Sequence, residues 1–139
     1  MQKSAVRPLP VTFPGSLLPD VLVDAELRFD ATLPYAACLV FPSAPSGRAS
    51  DAGLCWYFGR DLLNEGRHVP VGDGDVTVRP GCAGEVLITL HGSDGLAVVS
   101  APQDAVTGFL ADSFTLVPAG TETDHLDVDA ILARLRAGD

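Results

Sequence analysis

Along residues 21–30, VLVDAELRFD, apolar side chains take every second position: Val21, Val23, Ala25, Leu27 and Phe29 alternate with Asp24, Glu26, Arg28 and Asp30. A period of two with one apolar face predicts a half-buried strand. Leu33-Pro34-Tyr35 reads as a turn, and YAACLVF at 35–41 as the next strand. PSAPSGRASDAG at 42–53 is rich in Pro, Ser and Gly and predicts a loop. In LCWYFG, 54–59, Trp56 and Phe58 share one strand face and Cys55 and Tyr57 the other.

The period then changes. RDLLNEG at 60–66 packs a short helix through Leu62 and Leu63, with Gly66 placed for a left-handed cap. VPVGDG leads into a strand at DVTVRP, where Val76 and Val78 point inward and Asp75, Thr77 and Arg79 outward. EVLITLHGSDGLAVVS at 85–100 predicts two strands joined by a hairpin at Gly92-Ser93-Asp94-Gly95. Ser100-x-x-Gln103 matches a capping box, with Pro102 in the first turn. A helix follows whose stripe is Ala105, Val106, Phe109 and Leu110, weakened at Gly108 by about 1 kcal/mol relative to Ala. After the connector PAGTETDH, Val128, Ile131, Leu132 and Leu135 fall at helical spacing. Acidic residues open that last segment and arginines close it, as a helix dipole favours. Residues 1–20, broken by Pro8, Pro10, Pro14 and Pro19, read as a Pro-rich leader carrying the first strand. Strands joined mostly by short links argue for antiparallel pairing. The expected class is α+β: antiparallel sheets, a short helix after the fourth strand and two C-terminal helices, in one domain over 1–139. No internal repeat is visible in the sequence.

Composition narrows the functions. The chain has 139 residues, 47% hydrophobic and 19% charged, the balance of a globular domain. Nine basic residues face eighteen acidic ones, a net charge of −9 with a single Lys. Binding to nucleic acid relies on cations that displace counterions from phosphate, so no nucleic-acid partner is expected. No apolar run approaches the roughly 20 residues that span a bilayer, and the prolines interrupt any signal-peptide core. A cytoplasmic protein without direct membrane insertion is expected.

The chemical candidates are weak. Gly72-Asp73-Gly74-Asp75 lacks the remaining ligands of a calcium loop and reads as a turn. His68, His91 and His125 are far apart, and Cys38, Cys55 and Cys82 form no C-x-x-C, so no metal is expected. The cysteines read as small core residues. No G-x-S-x-G elbow and no Walker loop is present, so no catalytic residue and no cofactor site is assigned. Arg60-Asp61 has two readings: a charged pair at a partner-binding corner, or an Asp favoured by a helix start beside a solvated Arg60.

Two consecutive stretches carry a resemblance. W-x-F-G-R-D-L-L-x-E-G (Trp56, Phe58, Gly59, Arg60, Asp61, Leu62, Leu63, Glu65, Gly66) and P-x-G-x-G-D-V-x-V-x-P (Pro70 to Pro80) resemble the signature of the SsgA-like proteins, the sporulation-specific cell-division family of actinobacteria. Leu27-Arg28-Phe29-Asp30, Pro34-Tyr35-Ala36, Ala101-Pro102, Phe109-Leu110 and VPAGTE at 117–122 agree with it. Gly59 stands where that pattern usually has Ala, the 42–53 loop is longer than usual, and the Pro-rich leader has no clear counterpart.

The resemblance implies a regulator and not an enzyme. It implies a whirly-like fold, akin to single-stranded-DNA-binding proteins, with curved antiparallel sheets assembled as a homotrimer. It implies a cytoplasmic adaptor at the division septum, with FtsZ and SsgA-type division proteins as partners. A single-stranded nucleic-acid-binding module is the alternative, and the net charge argues against it. Arg60, Arg67 and His68, beside the corner helix, are the candidate partner-binding residues.

Overall fold

The computed structural model describes residues 4–41, 54–92 and 95–125. The loop expected at 42–53, the hairpin tip at 93–94 and the last expected helix, beyond residue 125, lie outside the described residues. Four strands, β1 (Ser4–Val11), β2 (Val23–Asp30), β3 (Ala36–Phe41) and β4 (Leu54–Gly59), form one antiparallel sheet in the order β1-β2-β3-β4. Helix α1 (Arg60–Gly66) follows. Four more strands, β5 (Val71–Asp73), β6 (Val76–Pro80), β7 (Glu85–Gly92) and β8 (Gly95–Pro102), form a second antiparallel sheet in chain order. Helix α2 (Gln103–Leu116) and a single turn, α3 (Glu122–His125), are the last elements among the described residues. The class is α+β, as the periodicity predicts. Four strands and then a helix occur twice, a repeat of architecture that the sequence does not display.

One apolar cluster serves both sheets. Ala25, Leu27 and Phe29 of β2 meet Leu9 and Val11 of β1, Val78 of β6, Ile88 of β7 and Val99 of β8 there. Val106, Phe109 and Leu110 of α2 add the apolar stripe read from the sequence. An isolated bridge between Thr12 and Ser100 ties the end of β1 to β8.

The Pro-rich start is a regular strand. All of β1 pairs with β2, from Ser4 opposite Asp30 to Val11 opposite Val23. Pro8 and Pro10 sit two apart on an edge strand, so their missing N–H groups share one side of the ladder. Their rings face outward while Leu9 is buried. Prolines at a border also hinder the addition of a further strand.

Two expected caps are replaced by other contacts. Ser100 does not cap α2; its hydroxyl lies in β8 and donates to Glu85 Oε2. Pro102 stands at the N-cap, and the first amide of α2, Gln103 N–H, donates to the Gly84 carbonyl at 2.9 Å. Likewise Arg60 N–H, the first of α1, donates to the Tyr35 carbonyl at 2.7 Å. Each helix starts on a carbonyl from a preceding turn and not on a side chain.

Gly66 is not a left-handed cap either. It belongs to the helix, and the following residue Arg67 has φ −76°. The requirement at Gly66 is space, since a Cβ there would lie 2.4 Å from the Val78 side chain. Gly59, by contrast, has φ −66° and ψ 136°, and a Cβ would meet Leu62 at an ordinary 3.7 Å. The same corner therefore predicts opposite signs for one substitution. Gly59→Ala stabilises by about 0.4–1 kcal/mol, because it restricts only the unfolded chain. Gly66→Ala destabilises by about 1–3 kcal/mol through overpacking against β6. Urea denaturation midpoints of the two variants check both signs.

Candidate functional site

The corner between the two sheets is built around Arg60. The strand β4 ends at Gly59, and the chain turns directly into α1 with Arg60 as its first residue. The sequence places Arg60 at the surface; the structure buries it to 1% exposure. Its Nη1 donates to the carbonyls of Ser113 (3.1 Å) and Val117 (2.8 Å), and its Nη2 to Glu122 Oε2 (3.0 Å). The guanidinium lies over the rings of Phe114 (4.2 Å) and Phe29 (5.0 Å). Nε has no hydrogen-bond partner. Arg60 thus caps the C-terminal end of α2, where unpaired carbonyls and the dipole favour a cation. It is a structural tie and not part of an exposed partner patch.

Glu122 completes the tie. Its Oε1 accepts Gly120 N–H at 2.8 Å, which closes the turn between α2 and α3. Its carboxyl is held below the usual range, first by its own backbone N–H and then by Arg60 and Gly120, while burial pulls the other way. Tyr35 joins from β3's entry turn, with its hydroxyl 2.9 Å from Thr123 Oγ1. Arg60 and Glu122 are 62 residues apart. Their only advance signal was that both lie in stretches carrying the family resemblance.

Arg67 and His68 end up elsewhere. Arg67 donates from Nε and Nη2 to Asn64 Oδ1 (3.2 and 2.9 Å) and from Nη1 to Thr107 Oγ1 (3.3 Å). It braces α1 against the first half of α2, whereas Arg60 reaches the last turn. His68 is exposed beside it, next to half-exposed Val69. Arg67 and His68 form the accessible part of the expected patch, with exposed Val69 beside them.

The other candidates stay apart. Gly74 has φ 60° in the turn between β5 and β6, as the turn reading requires. Among the described residues no group of three His, Cys, Asp or Glu could hold a metal ion. Cys38 is buried, but Cys55 and Cys82 are exposed, so only one cysteine fills the core role expected of them. Burial pushes the Cys38 thiol up, and neighbouring Cys55 adds to the rise. No described helix is long and apolar enough to cross a membrane.

A second surface was not anticipated. Cross-strand registers place Val6, Arg28, Cys38 and Tyr57 in one row on the outward face of the first sheet. Pro8, Glu26, Val40 and Cys55 form the next row. Val6 is 54% and Tyr57 65% exposed. The first row floors a shallow hollow of about 360 Å³. Arg28 Nε donates to Glu26 Oε2 at 3.0 Å across the two rows.

The Arg60–Glu122 tie predicts acid sensitivity with a defined sign. A carboxyl whose folded pKa is depressed contributes stability above its ordinary value of 4.5 and loses it as pH falls through the lower folded value. The melting temperature of the wild type therefore drops on acidification below about pH 4.5. Glu122→Gln melts lower at pH 7, and the gap to wild type narrows in that acidic window. Arg60→Met lowers the melting temperature by on the order of 10 °C at pH 7, because buried acceptors lose their donor. Calorimetry across pH 3 to pH 7 checks all three expectations.

Comparison with known proteins places this geometry. The family described as "Streptomyces sporulation and cell division protein, SsgA" matches residues 23–122, a span that includes Phe29, Arg60 and Glu122. The sporulation-specific cell division protein SsgB of Kineococcus radiotolerans is 42% identical, over 84% of this chain and 70% of its own length. SsgB of Salinispora tropica is 35% identical over 97% of this chain and 99% of its own, so the Pro-rich start has a counterpart after all. The crystal structure of an SsgA-like sporulation-specific cell division protein from Thermobifida fusca superposes with a TM-score of 0.77 at 31% identity, covering 94% of both chains. A family match across most of the chain, together with relatives of this identity and length, makes the protein a member of the SsgA family.

Proposed function

We propose that the protein acts in sporulation-specific cell division as an oligomeric adaptor, bringing FtsZ to septum sites in the cytoplasm. Its relatives named for sporulation-specific cell division support the process. The observation that carries the adaptor reading is the surface. A chain with net charge −9 leaves Val6 and Tyr57 on an outward sheet face, and Leu17, Leu18 and Leu22 in a loop, largely exposed. Large apolar side chains left exposed at these two places fit protein–protein contacts. Four strands and then a helix, occurring twice, support the whirly-like architecture that the family resemblance implies, and the homotrimer is carried over from that resemblance. SsgA-type division proteins are further partners on the same reading.

The FtsZ contact is assigned to the α1 corner. There Arg67 offers local positive charge against an acidic partner, His68 offers N–H donors, and Val69 offers apolar area. A local contact suits a chain whose overall field is repulsive to such a partner. Arg60 takes no part, since its guanidinium is enclosed.

Co-sedimentation with FtsZ filaments tests the proposal. Wild-type protein pellets with the filaments. Arg67→Glu with His68→Glu weakens that binding roughly tenfold, equivalent to about 1.4 kcal/mol. The variant melts somewhat lower than wild type, because Arg67 loses its bonds to Asn64 and Thr107, and circular dichroism at the assay temperature shows it folded. Unchanged binding by this variant removes the corner assignment, and failure of the wild type to pellet removes the FtsZ partner.

A further inference from the structure

The loop between β1 and β2 has no use within its own protomer. Leu17 is 100% exposed, Leu18 68%, Leu22 67% and Val21 50%. Four apolar side chains in six residues form a protruding arm, framed by Pro14 and Pro19. The arm is anchored at its start, where the Phe13 ring packs on Phe41 at 5.8 Å between centroids. Beyond that anchor Leu17 touches nothing.

The same sheet carries a receptor for it. The hollow on the outward face is lined by Val6, Cys38, Val40, Cys55 and Tyr57, with Arg28 at its centre and Asp30 at its side. Its central row lies five residues along β1 from the end that bears the arm. At about 3.3 Å per residue that is roughly 17 Å from the strand end to the row. Leu17 is fully exposed and Tyr57 two-thirds exposed, so the arm's leucine and the rim of the hollow are both accessible on the protomer.

We infer that the β1–β2 arm of one copy docks into the outward hollow of the first sheet of a second copy. Leucines fill the apolar floor. Asp20, between Leu18 and Val21, supplies the charge that Arg28 can accept beside its bond to Glu26. Copies of net charge −9 repel at a distance, so their contact has to be apolar and locally matched. Arm and hollow lie at different places on one sheet, so each copy gives one arm and takes another. Such a head-to-tail contact builds a closed ring when its rotation closes. The inference rests on the oligomeric reading above and names the surfaces that make the oligomer.

Light scattering after size exclusion, on full-length protein, tests it with two variants. Leu17→Asp with Leu18→Asp spoils the arm, and Tyr57→Asp spoils the hollow. All three residues are exposed, so circular dichroism spectra at about 25 °C should show the wild-type fold, while the melts fall by the share the oligomer contributes. Each variant alone is expected at protomer mass. Mixed in equal amounts, they are expected to form a dimer, since the intact arm of the hollow variant fits the intact hollow of the arm variant. A second measurement uses a thiol already present: on addition of oxidised glutathione as the oxidant, Leu18→Cys in a Cys82→Ser background is expected to give a disulfide to Cys55 of another copy, located by peptide mass spectrometry. An oligomeric wild type whose variants keep its mass overturns the arm-and-hollow contact and leaves the oligomer standing. Monomeric variants whose mixture stays monomeric also overturn it. A monomeric wild type overturns both the contact and the oligomeric reading.

Discussion

The enclosed guanidinium of Arg60 sets the constraint on which the rest of the molecule depends. Arginine keeps its charge and presents five N–H donors that cannot be switched off. Buried between two aromatic rings, it is tolerable only if acceptors arrive from several directions. They do: two carbonyls at the end of α2 and the Glu122 carboxylate. The strand-to-helix corner therefore cannot form its native contacts until α2 and the following turn are in place. One side chain links the first sheet, the corner helix and the chain's last described turn.

That tie explains why the corner is rigid while its outer rim is available. Arg60 N–H is satisfied by Tyr35, and Tyr35 in turn meets Thr123. Arg67 braces the other end of α1 against Thr107. The two arginines grip α2 near its two ends, and His68 and Val69 are left at the surface. A partner that binds there meets a prepositioned patch, which limits the ordering cost of association. A similar division holds on the first sheet: its inward face joins the common core, and its outward face leaves Val6 and Tyr57 more than half exposed.

Packing also accounts for the glycines and the breaks in local rules. Gly108 lies in the middle of α2 at a cost to helix propensity. A Cβ there would lie 2.7 Å from the Arg7 guanidinium, which crosses the helix to pair with Asp112 at 2.9 Å. Ser100 and Gln103 match a capping box in spacing, yet Ser100 is held in β8 by pairing opposite Leu87. The ladder claims its backbone, and the Gly84 carbonyl takes over the helix start.

The sequence alone determined most of the strands, the corner helix and the stripe of α2, because alternation and helical spacing are local and survive any tertiary arrangement; the three-residue β5, Val71–Asp73, is too short to show a period and reads as part of a turn. Val23, Ala25, Leu27 and Phe29 face inward as their spacing requires, and so do Val76 and Val78. The family resemblance was legible for the same reason, as contiguous motifs. Only the tertiary structure decided what the polar residues do. Arg60 reads as a surface charge because arginine usually is one, and nothing local announces an acceptor 62 residues away. The outward row of Val6, Arg28, Cys38 and Tyr57 draws one residue from each of four strands. Such a row exists only once register is set, and register is a property of paired strands and not of any one of them.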